Sequence, residues 1–192
     1  MSSENFICVP QRVFDDRGFY VKMGQKAIWL RNVFPTHDVS FHIGLRSPAS
    51  LIPAIYERRG KADFTSFLDT IDFDSLSWFD VIQRLRFAVP DAGITVWCNE
   101  DTPLIWPEVM TSVADMPRGT LLQGAHARLR AIMSDEGLER YVAYLECHPQ
   151  ITVPQRRWAA ISFLDRYAQD DEMSDSYDLP GWTQDRIEAL DA

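Results

Sequence analysis

Hydrophobic positions along this chain fall into two rhythms, one near 3.6 residues and one of 2. In "KMGQKAIWLRNVF" (22–34), Met23, Ala27, Leu30 and Phe34 recur at helical spacing, which predicts a helix ended by Pro35. "VSFHIGL" (39–45) alternates instead: Val39, Phe41, Ile43 and Leu45 share one face, and Ser40, His42 and Gly44 the other. That is the pattern of a strand. Pro48 then fits the first turn of a helix, where its missing N–H costs nothing. This helix is expected to run to about Arg59, with Pro53 disturbing its early turns. "DFTSFLDTIDFDSLS" (63–77) reads as short helical turns. "WFDVIQRLRFAV" (78–89) sets Phe79, Ile82, Leu85 and Val89 on one helical face. "GITVWC" (93–98) is β-branched and aromatic, a second strand. Pro103 opens another helix, "PLIWPEVMTSVA".

Strands that alternate with long helices imply right-handed crossovers and a parallel sheet. After Gly119 only helical patterns remain. Ser134 is placed to cap "DEGLERYVAYLEC", and Thr152 with Gln155 has the spacing of a capping box. The helix after Thr152 has a predicted stripe of Trp158, Ile161, Leu164 and Ala168. Trp182 is expected to anchor the acidic end of the chain, and Thr183 to cap a last short helix. The expected fold class is therefore α/β: a short parallel sheet flanked by helices, with a helical C-terminal region. One domain is expected over 1–192, made of an α/β part (1–118) and a helical extension (119–192).

Composition narrows the function. A chain of 192 residues is long enough for a substantial core. No apolar run reaches the length that spans a bilayer, and "MSSENFICVP" lacks the basic start and apolar stretch of a signal peptide. A cytoplasmic location without a membrane partner is expected. The net charge of −9 argues against nucleic acid as a partner. Within it, residues 1–61 carry nine Lys and Arg against five acids, so this third is +4 and the rest −13. A local site for a small anion near the N-terminal end is compatible with that asymmetry. Cys8, Cys98 and Cys147 are far apart and form no CxxC pair, which predicts reduced, partly buried thiols and no metal site.

The strongest chemical signal is "GLRSPAS" (44–50), where the first long strand meets its helix. In open parallel sheets, ligands bind beyond the carboxyl ends of the strands. The following helix offers unpaired N–H groups and partial positive charge there. Arg46 at such a point has the fork geometry to grip a phosphate, and Ser47 and Ser50 add hydroxyls. His42, on the small-residue face of the strand, reads as a satisfied core histidine. Cys98 reads as a buried thiol, and Trp106, Trp158 and Trp182 as core or anchoring residues.

"VSFHIGLRSPASLIPAIYERR" (39–59) resembles the 3′-phosphate-binding segment of sulfotransferases that use PAPS (3′-phosphoadenosine 5′-phosphosulfate) as donor. In that family a hydrophobic strand ends in Arg-x-Pro, and a serine and then an aromatic residue follow on the helix. Arg46, Pro48 and Tyr56 match; the serine position falls on Ala54, a departure. "SSENF" (2–6) is similar to the segment of heparan-type relatives where a glutamate precedes an aromatic residue, which makes Glu4 the implied base for the acceptor. "WFDVIQRLRFAVPDAGITVWCNEDTPLIWPEVM" (78–110) resembles the family's helix, strand and acidic turn, with Asn99-Glu100-Asp101 as the triplet.

The resemblance implies a P-loop-like fold, PAPS as co-substrate without a metal, Glu4 as catalytic base, and Arg46, Ser47 and Ser50 around the donor. The family's Gly-rich phosphosulfate loop lies before that glutamate, and this chain starts almost at Glu4. "MPRGTLL" (116–122) looks superficially like such a loop but follows a helical pattern instead of a strand. A sulfuryl transfer completed by a further N-terminal part is one reading. The others are a non-catalytic interaction or dimerisation module on the same scaffold, or another nucleotide-binding α/β protein. An unpaired sheet edge would favour a homo-oligomer.

Overall fold

The alternation in 39–45 becomes a strand because its apolar face has a core to cover. The computed structural model describes residues 5–15, 18–60, 63–117, 119–120, 122–169 and 179–191. The chain divides into two compact units, Met1–Trp97 with Tyr177–Ala192, and Cys98–Ser176.

Unit 1 begins with a small antiparallel ladder, β1 (Phe14–Asp15) and β2 (Gly18–Phe19). Strands of two residues are too short to leave a periodic signature, and the hydrophobic pattern does not reveal them. Then come α1 (Met23–Val33), β3 (Ser40–Leu45), α2 (Pro48–Arg59), α3 (Phe64–Leu68), α4 (Trp78–Ala88) and β4 (Gly93–Cys98). β3 and β4 form a small parallel sheet. Ser40 lies beside Gly93 and Gly44 beside Trp97, so residue numbers rise together along both strands. Phe41 is buried, and Ile43 and Ile94 pack on the same core. Among the described residues each strand pairs only with the other, so each has an open outer edge.

The core of unit 1 joins Phe14, Phe19 and Met23 to Ile52 and Ile55 of α2, Phe64 and Phe67 of α3, and Val81 and Leu85 of α4. α2 runs through Pro53, which is itself buried, so the helix absorbs the lost backbone donor without breaking. A last helix, α9 (Gln184–Asp191), packs on α2. Thr183 stands where a cap is expected, its carbonyl accepting from the N–H groups of Arg186 and Ile187. Trp182 is buried against Phe64, ring centroids 5.8 Å apart, as the anchor expected there.

The predicted stripe of α4 holds at Leu85 and Val89 and fails at Phe79. Val81, Leu85 and Val89 are buried, but Phe79 is 70% exposed. The cause is the neighbour: α4 packs on α1, where Gly24 lets the helices close. A Cβ at Gly24 would stand 3.2 Å from the Arg84 carbonyl and 3.3 Å from Ala88 Cβ. The face carrying Val81, Leu85 and Ala88 therefore looks inward, and the one carrying Phe79 and Phe87 outward. Phe34, the last predicted position of the α1 stripe, is also exposed.

Unit 2 is helical: α5 (Thr102–Val113), α6 (Ala127–Arg130), α7 (Asp135–Cys147) and α8 (Val153–Tyr167). α7 starts where Ser134 Oγ accepts from Gly137 N at 3.2 Å. α8 has the full capping box: Thr152 N donates to Gln155 Oε1 at 2.8 Å, and Gln155 N donates back to Thr152 Oγ1 at 3.4 Å. α7 packs on α8 around Met133, Leu138, Tyr141, Ala160 and Leu164. Trp158 corrects its expectation: it is 69% exposed, because the inward face of α8 is set by Ala160 and Leu164.

Candidate functional site

β3 ends at Leu45, and three residues later Pro48 starts α2. Ser47 between them is extended (φ −51°, ψ 134°), and its Oγ accepts from Ala49 N at 3.1 Å. That is an N-cap in front of a proline, the arrangement the sequence encodes. The Ser47 carbonyl accepts from Ser50 N at 3.1 Å and Leu51 N at 2.8 Å. Ser50 Oγ accepts from Arg46 Nε at 2.9 Å and lies 3.3 Å from the Ser47 carbonyl, to which it donates. Arg46 is thus laid along the first turn of α2, its Nε donating to Ser50.

The backbone of the junction is tied from a distance. Trp78, at the start of α4, donates its indole Nε1–H to the Arg46 carbonyl at 2.7 Å. Its ring is held by Phe19 edge-on at 4.7 Å and by Tyr20 in a stack at 5.3 Å. The Tyr20 phenol is pushed up to about 12, first by burial and then by the Cys8 thiol. It is a neutral, hydrophobic wall for Trp78 at ordinary pH.

Arg46, Ser47 and Ser50 therefore meet in one junction at the carboxyl end of a parallel strand. Glu4 lies outside the described residues. Tyr56 turns into the aromatic cluster, edge-on to Phe64 at 4.8 Å and stacked on Phe67 at 5.7 Å. Ala54 lies half-buried on the same helix. His42 Nδ1 is buried without a hydrogen-bond partner, so the reading of a fully satisfied histidine is corrected at that atom. Cys98 is exposed, not buried. It ends a strand whose outer edge and face, with Thr95 and Val96, are uncovered. Cys147 is also exposed and Cys8 half-buried. Asn99–Asp101 form a 3-10 turn leading into α5.

A second feature, in unit 2, was not foreseen. A cleft of about 1190 Å³ is bounded by α5, residues 116, 119–120, 122 and 124–127, α7 and α8. Its charged lining includes Glu108, Arg156 and Arg157. His126 also lines it, edge-on to Tyr141 at 5.6 Å. Burial, and then Arg156, hold the His126 imidazole below its ordinary value. The Tyr141 phenol is pushed up to about 12, mainly by burial. The only local sequence signal was the Arg156-Arg157 doublet on α8. "MPRGTLL" enters here too, since Met116, Gly119, Thr120 and Leu122 line the cleft.

Among the described residues, no group of three or more His, Cys, Asp and Glu could hold a metal ion, and no helix is long and apolar enough to cross a membrane. Compared with known proteins, the chain matches no protein-family model, no curated protein and no solved structure.

Proposed function

We propose that this chain is a sulfotransferase-like protein that binds the 3′-phosphate of a PAPS-type nucleotide at the Arg46 junction. One observation carries the reading: an arginine braced by Ser50 at the carboxyl end of a parallel strand, beside the capped start of a 12-residue helix. A phosphate there meets the positive end of the helix and a charged donor together. Where a phosphosulfate-binding loop completes the site, the acceptor hydroxyl or amine attacks the donor sulfur and the S–O bond to the 5′-phosphate breaks. Adenosine 3′,5′-bisphosphate leaves, and Glu4 takes the acceptor proton. The test is thermal stability against adenosine 3′,5′-bisphosphate, since a ligand of the folded state raises the midpoint. A charged bond of about 1.5–3 kcal/mol makes Arg46→Ala bind roughly 10- to 150-fold more weakly. No rise at millimolar nucleotide, or an equal rise in the variant, overturns the reading.

A second reading is favoured by a different observation. Trp29, Phe79 and Phe87 are 61%, 70% and 82% exposed on α1 and α4, and the sheet edges are open. Such surfaces suit a non-catalytic association module. Sedimentation of the whole chain at micromolar concentration tests it, with a monomer in both the wild type and Phe87→Gln as the negative result.

A further inference from the structure

We infer that the cleft of unit 2 is a binding site for a small zwitterionic molecule with an apolar body, of the kind a short peptide with free ends presents. Three observations lead there. The first is size and lining. Its volume of about 1190 Å³ exceeds the roughly 300–1,000 Å³ of pockets for small ligands. Leu122, Val142, Leu145 and Val153 supply apolar wall. There is room for a ligand of a few residues.

The second is charge. Arg130, Arg156 and Arg157 line the cleft against Glu108, Asp115 and Glu146. Among the described residues the two signs balance, and the depressed imidazole of His126 adds no charge at neutral pH. A simple anion or cation would meet as many like charges as opposite ones. A molecule carrying both signs at its two ends meets a partner for each.

The third is pairing. Glu108 Oε2, Arg156 Nε and Arg157 Nε are buried without hydrogen-bond partners among the described residues. Glu108 and Arg156 both act on the Tyr141 phenol, yet no ion pair joins them. More than about nine in ten buried polar groups in folded proteins are paired, and a buried donor or acceptor left unpaired is costly. Three such atoms in side chains of one cleft mark groups whose partner comes from elsewhere. The ligand carboxylate belongs with Arg156 and Arg157, and its ammonium with Glu108.

The test is calorimetric titration of the whole chain with the tripeptide Leu-Gly-Leu, alongside its N-acetyl and C-amide forms. The free peptide is expected to bind, and blocking either end to weaken binding about tenfold, the worth of one charge-assisted contact. In Glu108→Gln the acetyl block should cost nothing further, and in Arg156→Met the amide block likewise. The peptide series on the wild-type chain decides the matter even if a variant fails to fold. No binding at about 10 mM peptide, or equal binding of all three forms, overturns the proposal.

Discussion

Trp78→Phe is the substitution that most directly separates the junction from the rest of unit 1. It removes the indole N–H that donates to the Arg46 carbonyl at 2.7 Å and keeps a six-membered ring against Phe19. The lost neutral hydrogen bond is worth about 0.5–1.5 kcal/mol. The weakened stack on Tyr20, now at 5.3 Å, adds about 0.5–1.5 kcal/mol. The sum is about 1–3 kcal/mol, which in a chain of this size lowers Tm by roughly 2–4 °C per kcal/mol. Urea unfolding followed by circular dichroism at low protein concentration measures it. Trp29→Phe is the control: the same chemical change, on an exposed ring of α1, is expected to stay within about 0.5 kcal/mol. If Trp78 only fills space, the two variants unfold together, and the argument that α4 ties the strand-to-helix junction fails. If it ties the junction, Trp78→Phe also weakens adenosine 3′,5′-bisphosphate binding.

Three further predictions test other parts of the structure. A Cβ at Gly137 would overlap Tyr167 Cβ and stand 2.7 Å from Tyr167 Cγ. Gly137→Ala should therefore lose about 1–2 kcal/mol in denaturant unfolding, overpacking outweighing the helix-propensity gain of about 1 kcal/mol; equal stability would refute the close α7–α8 contact. His126 is held below its ordinary 6.5 by burial and Arg156, so the unfolded chain binds its proton more readily. Its contribution is full above about pH 6.5 and is lost as pH falls through the depressed folded value; unfolding midpoints of His126→Asn should lack this slope, and an unchanged slope would contradict it. Of the three cysteines, Cys98 and Cys147 are exposed while burial pushes the Cys8 thiol up. Thiol titration should give two fast sites and one slow one, and a fast Cys8 would contradict its packing.

What the sequence revealed follows from the range of the forces involved. β3, α2 and the caps of α7 and α8 were legible because each is settled within a few residues. Alternation, a proline at N1, and Thr152 with Gln155 carry their own geometry. The facing of Phe79 and Trp158 was not legible. An amphipathic stripe rich in aromatics fits two phases, and the choice belongs to Gly24 on one neighbour and to α7 on the other. Arg46, Ser47 and Ser50 could be grouped because they span a single turn. The cleft residues Glu108, His126 and Arg156 come from three separate segments, and no local pattern joins them. Cys98 misled because a strand rich in apolar residues reads as covered, whereas β4 is an edge.

The last feature of consequence is the return of Trp182 and α9 to the core of unit 1. Unit 1 is assembled from the two ends of the chain, with unit 2 encoded between them. At a synthesis rate of about 5–20 residues per second, the aromatic cluster around Phe64 waits several seconds for its final ring while the whole of unit 2 emerges. Unit 2 is contiguous and helical, so it can form first, and unit 1 closes last although its sequence comes first. A stop codon before Leu179 would thus release a chain whose damage lies at its beginning: an N-terminal unit exposing Phe64 and open to proteases, beside a helical unit with its core residues all present.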